Sequence, residues 1–523
     1  MNVTSIAIVW SILVLLLAAL VVSRLLYSFL SSTNGGDSYD HKILISEIRK
    51  SGYRIPKEMK YFATSGSYQY PYLLHWVLAV LPIDYDTMER YTSAISDLFL
   101  AAIVLSLVPF GYLTTLDSLL GVGIILSMPQ FVRPDLSHGR GLSARKPGLL
   151  MVSVSLISLV HFSISGQIAW LVIATIFGGL VILTSKFSMQ AYVIALLGIA
   201  TTGELSALAV LILAFVLAIL LSAGRYALIF AAHYRHLKNW ALSQQFKLDG
   251  AGPFNPISVS LEFLQNLIAV RPISEAFDIL YDNLIVRVIA NSPWIFLAAA
   301  YVIWWSADVS IAGASIIAAW LTAMLVAFVV TSFPYVRFLG QPERYLEYAI
   351  IPAILIVVPF TTSGPWWGSA AYAVTFSVGI VLIVSYVYYF SRGSFSNPEF
   401  SRSIDGVSEA LTKRQGDLIL AQPRWFGAAL AWKSGVRVVE ISLHAGSSRE
   451  LIEELHRLCP IDSMHLTDDV EWLRERYNPD WVVFKKPLEG YPDHSLEPNA
   501  AEPVFENEHF VLIPFRNVYE QYN

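Results

Sequence analysis

The sequence predicts a mostly α-helical, polytopic membrane protein that ends in a smaller soluble α/β domain. Three observations carry this. Apolar residues make up 55% of the 523-residue chain and charged residues only 14%, against roughly 25% charged in a soluble domain. Apolar runs follow one another from Ile6 to Phe390, and about 18 or more uncharged apolar residues are enough to span a bilayer. Beyond Phe390 charges become frequent, and no later run is long enough to cross.

The first element is a membrane helix over 6–27, not a cleavable signal. Residues 1–5 carry no Lys or Arg, and the apolar stretch Ile6–Val22, closed by Arg24, is longer than a signal's apolar core. Further candidate spans are 92–112, 115–131, 147–164, 168–185, 188–203, 205–222, 293–307, 309–333, 346–362 and 366–391, about eleven in all. The stretch 188–222 reads either as two short helices broken near Gly203-Glu204 or as one long helix with a tail. Between 256 and 292, segments such as Leu261–Val270 are amphipathic and suit the membrane surface.

Three polar stretches interrupt the apolar sequence: 28–91, 132–147 and 334–348. The first opens with SSTNGGDSYDHK, continues as a helix-like stretch through Ile43, Ile45 and Ile48, and later reads YPYLLHWVLAVLP. The expected division is a membrane domain over 1–392, with the long loop 28–91 in it, and a soluble domain over 393–523.

In the C-terminal part, Asp417–Ala421 and Val436–Ile441 have the pattern of short buried strands, with a helix over Trp425–Trp432 between them. An amphipathic helix is expected over Arg449–Leu458, a strand at Trp481–Phe484, and a hairpin in Glu502–Phe515 around Glu506-Asn507-Glu508. Strand–helix–strand alternation predicts a partly parallel sheet.

Several function classes are disfavoured. A net charge of −5 argues against nucleic acid as a partner. The single cysteine, Cys459, forms no intrachain disulfide. The C-terminal domain has no GxGxxG or P-loop, and the chain has no HExxH or CxxC and no ligand-spaced histidines, so nucleotide binding and zinc hydrolysis have no support.

The most informative stretch is Gly35-Gly36-Asp37-Ser38-Tyr39-Asp40-His41, directly after the first helix. Glycines permit tight turns. Asp37 and Asp40, with His41 beside the second, suit a general base or a divalent-cation site. The same residues also suit an Asx-rich turn that caps a helix starting near His41.

The order of these features resembles the GT-C superfamily of membrane glycosyltransferases, which use sugars carried on polyprenyl phosphates or pyrophosphates. Asp37-Ser38-Tyr39-Asp40-His41 is similar to the Asp-Pro-Tyr-Tyr-His loop motif of the oligosaccharyltransferase branch. Tyr70-Pro71-Tyr72-Leu73-Leu74-His75 is similar to that branch's later Tyr-Pro-x-Leu-x-His segment. That branch also carries Trp-Trp-Asp-Tyr-Gly in its C-terminal domain. Here Trp304-Trp305 and Trp366-Trp367 lie in or beside spans, and neither is followed by Asp-Tyr-Gly. The departure favours transfer of single sugars, in the manner of dolichyl-phosphate-mannose-dependent or ArnT-like members.

The resemblance implies an inverting transfer from a polyprenyl-phosphate sugar to an acceptor hydroxyl on a glycan, lipid or protein. Asp37 would be the catalytic carboxylate, with Asp40 as its competitor. Asp135 would be a second acidic residue, and Asp37 with Asp135 would hold a divalent cation (Mg or Mn) if one is used. A late-loop arginine contacts donor phosphate in this superfamily, which points to Arg344 and then Arg337. Arg344 lies in the run Gln341-Pro342-Glu343-Arg344-Tyr345. A surface Arg–Glu pair at a helix start is the alternative reading.

The 132–147 loop crowds Arg133, Arg140, Arg145 and Lys146 with Asp135 and His138. Arginines pair phosphate oxygens bidentately, and the alternative is a set of interfacial cations facing lipid head groups. Lys186, between two spans, is either a further phosphate ligand or a boundary marker. Glu204 reads as a turn residue after Gly203.

An odd number of spans with a cytoplasmic N-terminus puts all three polar stretches and the C-terminal domain outside the cytoplasm. The positive-inside rule taken alone favours the inverse, because Arg133, Arg140, Arg145 and Lys146 then lie outside. Assigning those cations to phosphate resolves the conflict. The expected location is a prokaryotic plasma (inner) membrane. Two other classes fit less well. A transporter or flippase of lipid-linked saccharides tends to show inverted repeats and mid-span polar residues, and neither is evident. A non-catalytic scaffold would not need the Asp37 and Arg344 loops.

Overall fold

Helices of uncharged apolar residues alternate with short polar segments over most of the chain, and a small sheet follows near its C-terminal end. The computed structural model describes residues 3–30, 37–56, 59–63, 69–132, 141–242, 284–304, 312–392, 398–422, 424–439, 453–454, 457–458, 467, 469–486 and 502–522. They fall into two units. One comprises Met1–Ser31, Arg90–Leu221 and Gly252–Ser391; the other comprises Ser32–Glu89, Ser222–Ala251 and Arg392–Asn523.

The first unit is helical. Every candidate span contains helix among the described residues, from Val3–Leu30 through Thr115–Leu126, Arg145–Ser165, Ile168–Thr184, Ala314–Ser332 and Ile350–Ser363 to Trp366–Arg392. The ends of 293–307 and 309–333 that fall in 305–311 lie outside the described residues. Among the described residues three helices are long and apolar enough to cross a membrane: Arg145–Ser165, Ala314–Ser332 and Trp366–Val387. Seven further candidate spans contain apolar helical segments of 10–17 residues, which at about 1.5 Å per residue reach at most some 25 Å, and 92–112 overlaps the 22-residue helix Tyr85–Ser106. The stretch 188–222 is two helices, Lys186–Ala200 and Ser206–Leu221. Gly203 turns the chain between them with φ +91°, a conformation a Cβ disfavours. Much of 256–292, Leu261–Val270 included, lies outside the described residues; Leu284–Asn291 is helical.

The second unit is built on a five-stranded sheet. Its strands are β1 (Leu418–Gln422), β2 (Arg437–Val438), β3 (Trp481–Lys485), β4 (Phe505–Glu506) and β5 (Phe510–Pro514), in the order β2-β1-β3-β5-β4. β1 pairs parallel with β2 and β3, and β5 runs antiparallel to β3 and β4. The sheet is therefore partly parallel and closes with the expected hairpin. The helix Gly427–Ser434 lies between β1 and β2. The expected helix Arg449–Leu458 lies mostly outside the described residues.

The strands read as continuous apolar runs because both faces are covered. Successive side chains alternate between faces: Ile419, Ala421, Val483, Phe510 and Leu512 join one core, and Leu418, Leu420, Val482, Phe484, Val511 and Ile513 the other. The second core is closed by Val470, Trp472 and Leu473 and by Phe515 and Val518. The first is closed by Val407 and Leu411, by Leu430, and by four residues of the long first loop: Ile43, Leu44, Met59 and Phe62. That loop also extends the sheet edge, with Val438 donating to the Tyr61 carbonyl and Ala63 to the Val438 carbonyl, each at 2.9 Å. The residues after the first helix thus fold with the C-terminal ones, because their apolar side chains complete that core.

Candidate active site

In the second unit the candidate carboxylates lie on the helix Asp37–Lys50. The helix begins at Asp37, a turn earlier than the capping-turn reading places it. Asp37 and Asp40 are three apart, the spacing of neighbours on one helical face. Asp40 is half-buried and His41 buried; the placement of the Asp37 carboxylate is outside the described atoms.

The helix is held at three points. Lys42 is buried, with Nζ 2.7 Å from Glu89 Oε2 and 3.2 Å from Asp86 Oδ1. Arg49 donates to the carbonyls of Leu78, Ala79, Leu81 and Ile83 at 2.7–3.3 Å, satisfying the C-terminal end of the helix Leu73–Val80. Third, His41 Nδ1 lies 2.7 Å from His75 Nε2 with the rings stacked at 4.9 Å, and Tyr70 packs edge-on against both.

His75 is fully buried. Burial first, then the neighbouring His41, hold its pKa well below the ordinary 6.5, outweighing a hydrogen bond to the Pro71 backbone. A neutral His75 ring carries one proton and one lone pair on its two nitrogens, so one partner of the histidine pair donates and the other accepts. Because the folded pKa lies below the unfolded one, the unfolded chain takes up the proton first as pH falls. The unfolding midpoint is therefore expected to drop as pH falls below about 6.5. Melting curves at pH 8 and pH 5.5 check this, and the drop should shrink in His75→Gln.

In the first unit the second and third polar stretches come together. Arg145 and Lys146 form the first turn of the helix Arg145–Ser165. Arg344 is half-buried in the short helix Glu343–Glu347, whose Glu343, Tyr345 and Glu347 are buried. Both Arg145 and Arg344 lie within electrostatic reach of the Tyr348 hydroxyl, as does Glu347, and Glu347 also acts on Lys146. The Tyr348 hydroxyl is 2.8 Å from Ser188 Oγ. The Phe187 ring lies 4.7 Å from that of Tyr345, whose hydroxyl donates to the Leu339 carbonyl at 3.0 Å. Gln130 donates to the Glu343 carbonyl at 2.8 Å and accepts from Ser292 at 2.5 Å.

Gly148 permits this approach, since a Cβ there would collide with Ser188. Lys186 opens the helix carrying Ser188, after the N-cap Ser185. Glu343 and Glu347 are buried, so these carboxylates do not lie at the surface. Arg337 lies in the turn Pro334–Leu339, its side chain outside the described atoms. Arg133, Asp135, His138 and Arg140 lie outside the described residues, which contain no group of three or more His, Cys, Asp or Glu able to hold a metal.

One cluster was not foreseen. Asp97 accepts from Arg24 Nε at 2.7 Å on Oδ2 and from Lys146 Nζ at 2.8 Å on Oδ1, and all three side chains are buried. Lys146 is thus engaged by a carboxylate, where the sequence reading placed it among the phosphate ligands. Arg24, read as the end of a span, and Asp97, inside one, were findable by the rule that ionisable residues within apolar spans mark function.

No known family model and no curated protein matches the sequence. Solved structures match in fold. ArnT from Cupriavidus metallidurans, bound to undecaprenyl phosphate, superposes with a TM-score of 0.56 at 13% identity over 96% of this chain and 97% of that one. The Archaeoglobus fulgidus oligosaccharyltransferase in its apo form gives 0.55 at 12% identity over 91% and 69%. AglB from the same organism, with an inhibitory peptide and a dolichol-phosphate, gives 0.52 at 12% over 92% and 70%. The oligosaccharyltransferase is also known in complex with Zn and sulfate. At such identity the likeness speaks for architecture: the chain has the fold of the GT-C membrane glycosyltransferases.

Proposed function

We propose that this chain is an inverting membrane glycosyltransferase that moves a sugar from a polyprenyl-phosphate donor to an acceptor hydroxyl at the extracytoplasmic face. The observation that carries the reading is that the helix start bearing Arg145 and the short helix bearing Arg344 are brought together through Gly148 against Ser188 and Ser188 against Tyr348, in a fold shared with a protein that holds undecaprenyl phosphate. Two guanidiniums supply the planar donor forks that a phosphate monoester accepts.

In the proposed reaction the acceptor oxygen attacks the anomeric carbon and the bond from that carbon to the phosphate oxygen breaks. The acceptor proton passes to Asp37, and the polyprenyl phosphate leaves with the bonding pair. Arg344 and Arg145 offset the negative charge that grows on the leaving oxygen, which is usually the largest catalytic contribution. A divalent cation held by Asp37 and Asp135 would polarise the acceptor oxygen. On this reading the shorter apolar helices also cross, making about eleven spans and placing the C-terminal domain outside the plasma membrane.

The test is release of polyprenyl phosphate by purified protein offered a panel of polyprenyl-phosphate sugars and acceptors. Wild type should release it, and Arg344→Ala should lower the rate about 100-fold. Tight binding of the donors with no release from any would replace the enzyme with a transporter.

A further inference from the structure

Asp97 joins three helices through one carboxylate. Arg24 comes from Val3–Leu30, Asp97 from Tyr85–Ser106, and Lys146 from the first turn of Arg145–Ser165. Side-chain exposure is only 3–4% for each. Each cation has a second hold: Arg24 Nη2 donates to the Ile125 carbonyl at 3.0 Å, and Lys146 Nζ to the Phe131 carbonyl at 3.4 Å, above the Phe131 ring. One carboxylate here faces two cations in a low-dielectric setting, where removing the shared anion leaves like charges opposed.

Lys146 is adjacent to Arg145, in the helix start that packs through Gly148 on Ser188, whose hydroxyl is 2.8 Å from that of Tyr348 beside the helix carrying Arg344. Fixing the Lys146 ammonium fixes the helical turn from which Arg145 extends. We propose that Asp97 is a positioning residue, which sets Arg145 for the phosphate group of the donor by holding Lys146 and Arg24. The proposal rests on the phosphate-binding reading above. It assigns Lys146 the part of an anchor and leaves phosphate contact to Arg145 and Arg344.

The experiment measures equilibrium binding of undecaprenyl phosphate to the full-length protein in detergent, with undecaprenol as the phosphate-free control. Wild type should prefer the phosphate, and Asp97→Asn should lose about tenfold of that preference, the worth of one charge-assisted hydrogen bond. Undecaprenol binding should not change, and Asp97→Glu should keep most of the preference. Asp97→Asn/Lys146→Met removes one of the opposed cations and covers the case in which Asp97→Asn fails to fold. It should regain the wild-type melting midpoint while the preference stays low. Recovery of both would make the cluster a purely structural staple and overturn the proposal, as would a wild-type preference in Asp97→Asn. A wild type with no preference for phosphate would overturn the phosphate-binding reading itself, and this inference with it.

Discussion

Asp37→Asn should lower the release of polyprenyl phosphate at least ~100-fold, the low end of what a general base contributes. Asparagine keeps the size of aspartate and its standing at a helix start, so the helix Asp37–Lys50 should form unchanged. What it lacks is a site for the acceptor proton. Asp40→Asn is the internal comparison. Asp40 is half-buried one turn further along, beside His41, and its removal should cost far less. A variant Asp37→Asn that keeps its rate, with Asp40→Asn inactive, would pass the role to Asp40. Circular dichroism and melting curves on both variants separate lost chemistry from lost fold. Chelation by EDTA addresses the cation: a rate that falls and returns with added Mg or Mn supports a metal at Asp37, and an unchanged rate removes it.

Lys42→Met should destabilise the second unit by about 3–5 kcal/mol, the cost of leaving a buried charge without its partner. Side-chain exposure is 2% for Lys42 and 0% for Glu89, and their charged atoms lie 2.7 Å apart. Asp86, which also reaches Lys42, is largely exposed and is solvated without it. The double variant Lys42→Met/Glu89→Leu replaces the pair with apolar side chains, and such exchanges are often neutral. It should recover most of the lost stability. The unfolding midpoint of the unit, followed by tryptophan fluorescence, reads both effects. A single variant as stable as wild type would show that Glu89 finds another partner or water. Activity should follow stability here, because Lys42 anchors the helix that carries Asp37 and Asp40.

Much of the architecture was legible along the chain. Apolar runs located the long helices of the first unit, since covering backbone polar groups in lipid leaves few alternatives to a helix, though not Leu284–Asn291 or Glu343–Glu347. The hairpin around Asn507 followed from local turn chemistry, which is set by neighbouring residues, and Gly203 marked one of the two readings of 188–222, the one the structure adopts. DLILA reads as a strand from its run of apolar residues, as does Val436–Ile441, of which the two residues Arg437–Val438 pair as β2. The length of each span was less legible, because apolar sequence continues into turns and termini that no charge marks.

The candidate site was legible in pieces. Arg145 and Arg344 stood out because cations are scarce in apolar sequence, but about 200 residues separate them, and nothing local says that their helices meet around Ser188 and Tyr348. Arg24 reads as the end of a span and Asp97 as one residue within another, because a partner 73 residues away leaves no trace in periodicity.

Composition and hydropathic pattern determined by themselves that this chain is a helical membrane protein with an α/β end, because transfer from water acts on each segment separately. The first-loop motif pointed to the fold family, since its residues are contiguous. Tertiary structure alone decided that Ile43, Leu44, Met59 and Phe62 complete the core beside the sheet, and that His41 meets His75. It also decided that Asp97 binds Lys146 and Arg24. These are pairings between distant segments, chosen by shape and by the need to neutralise buried charge, and they come into being only when the chain folds.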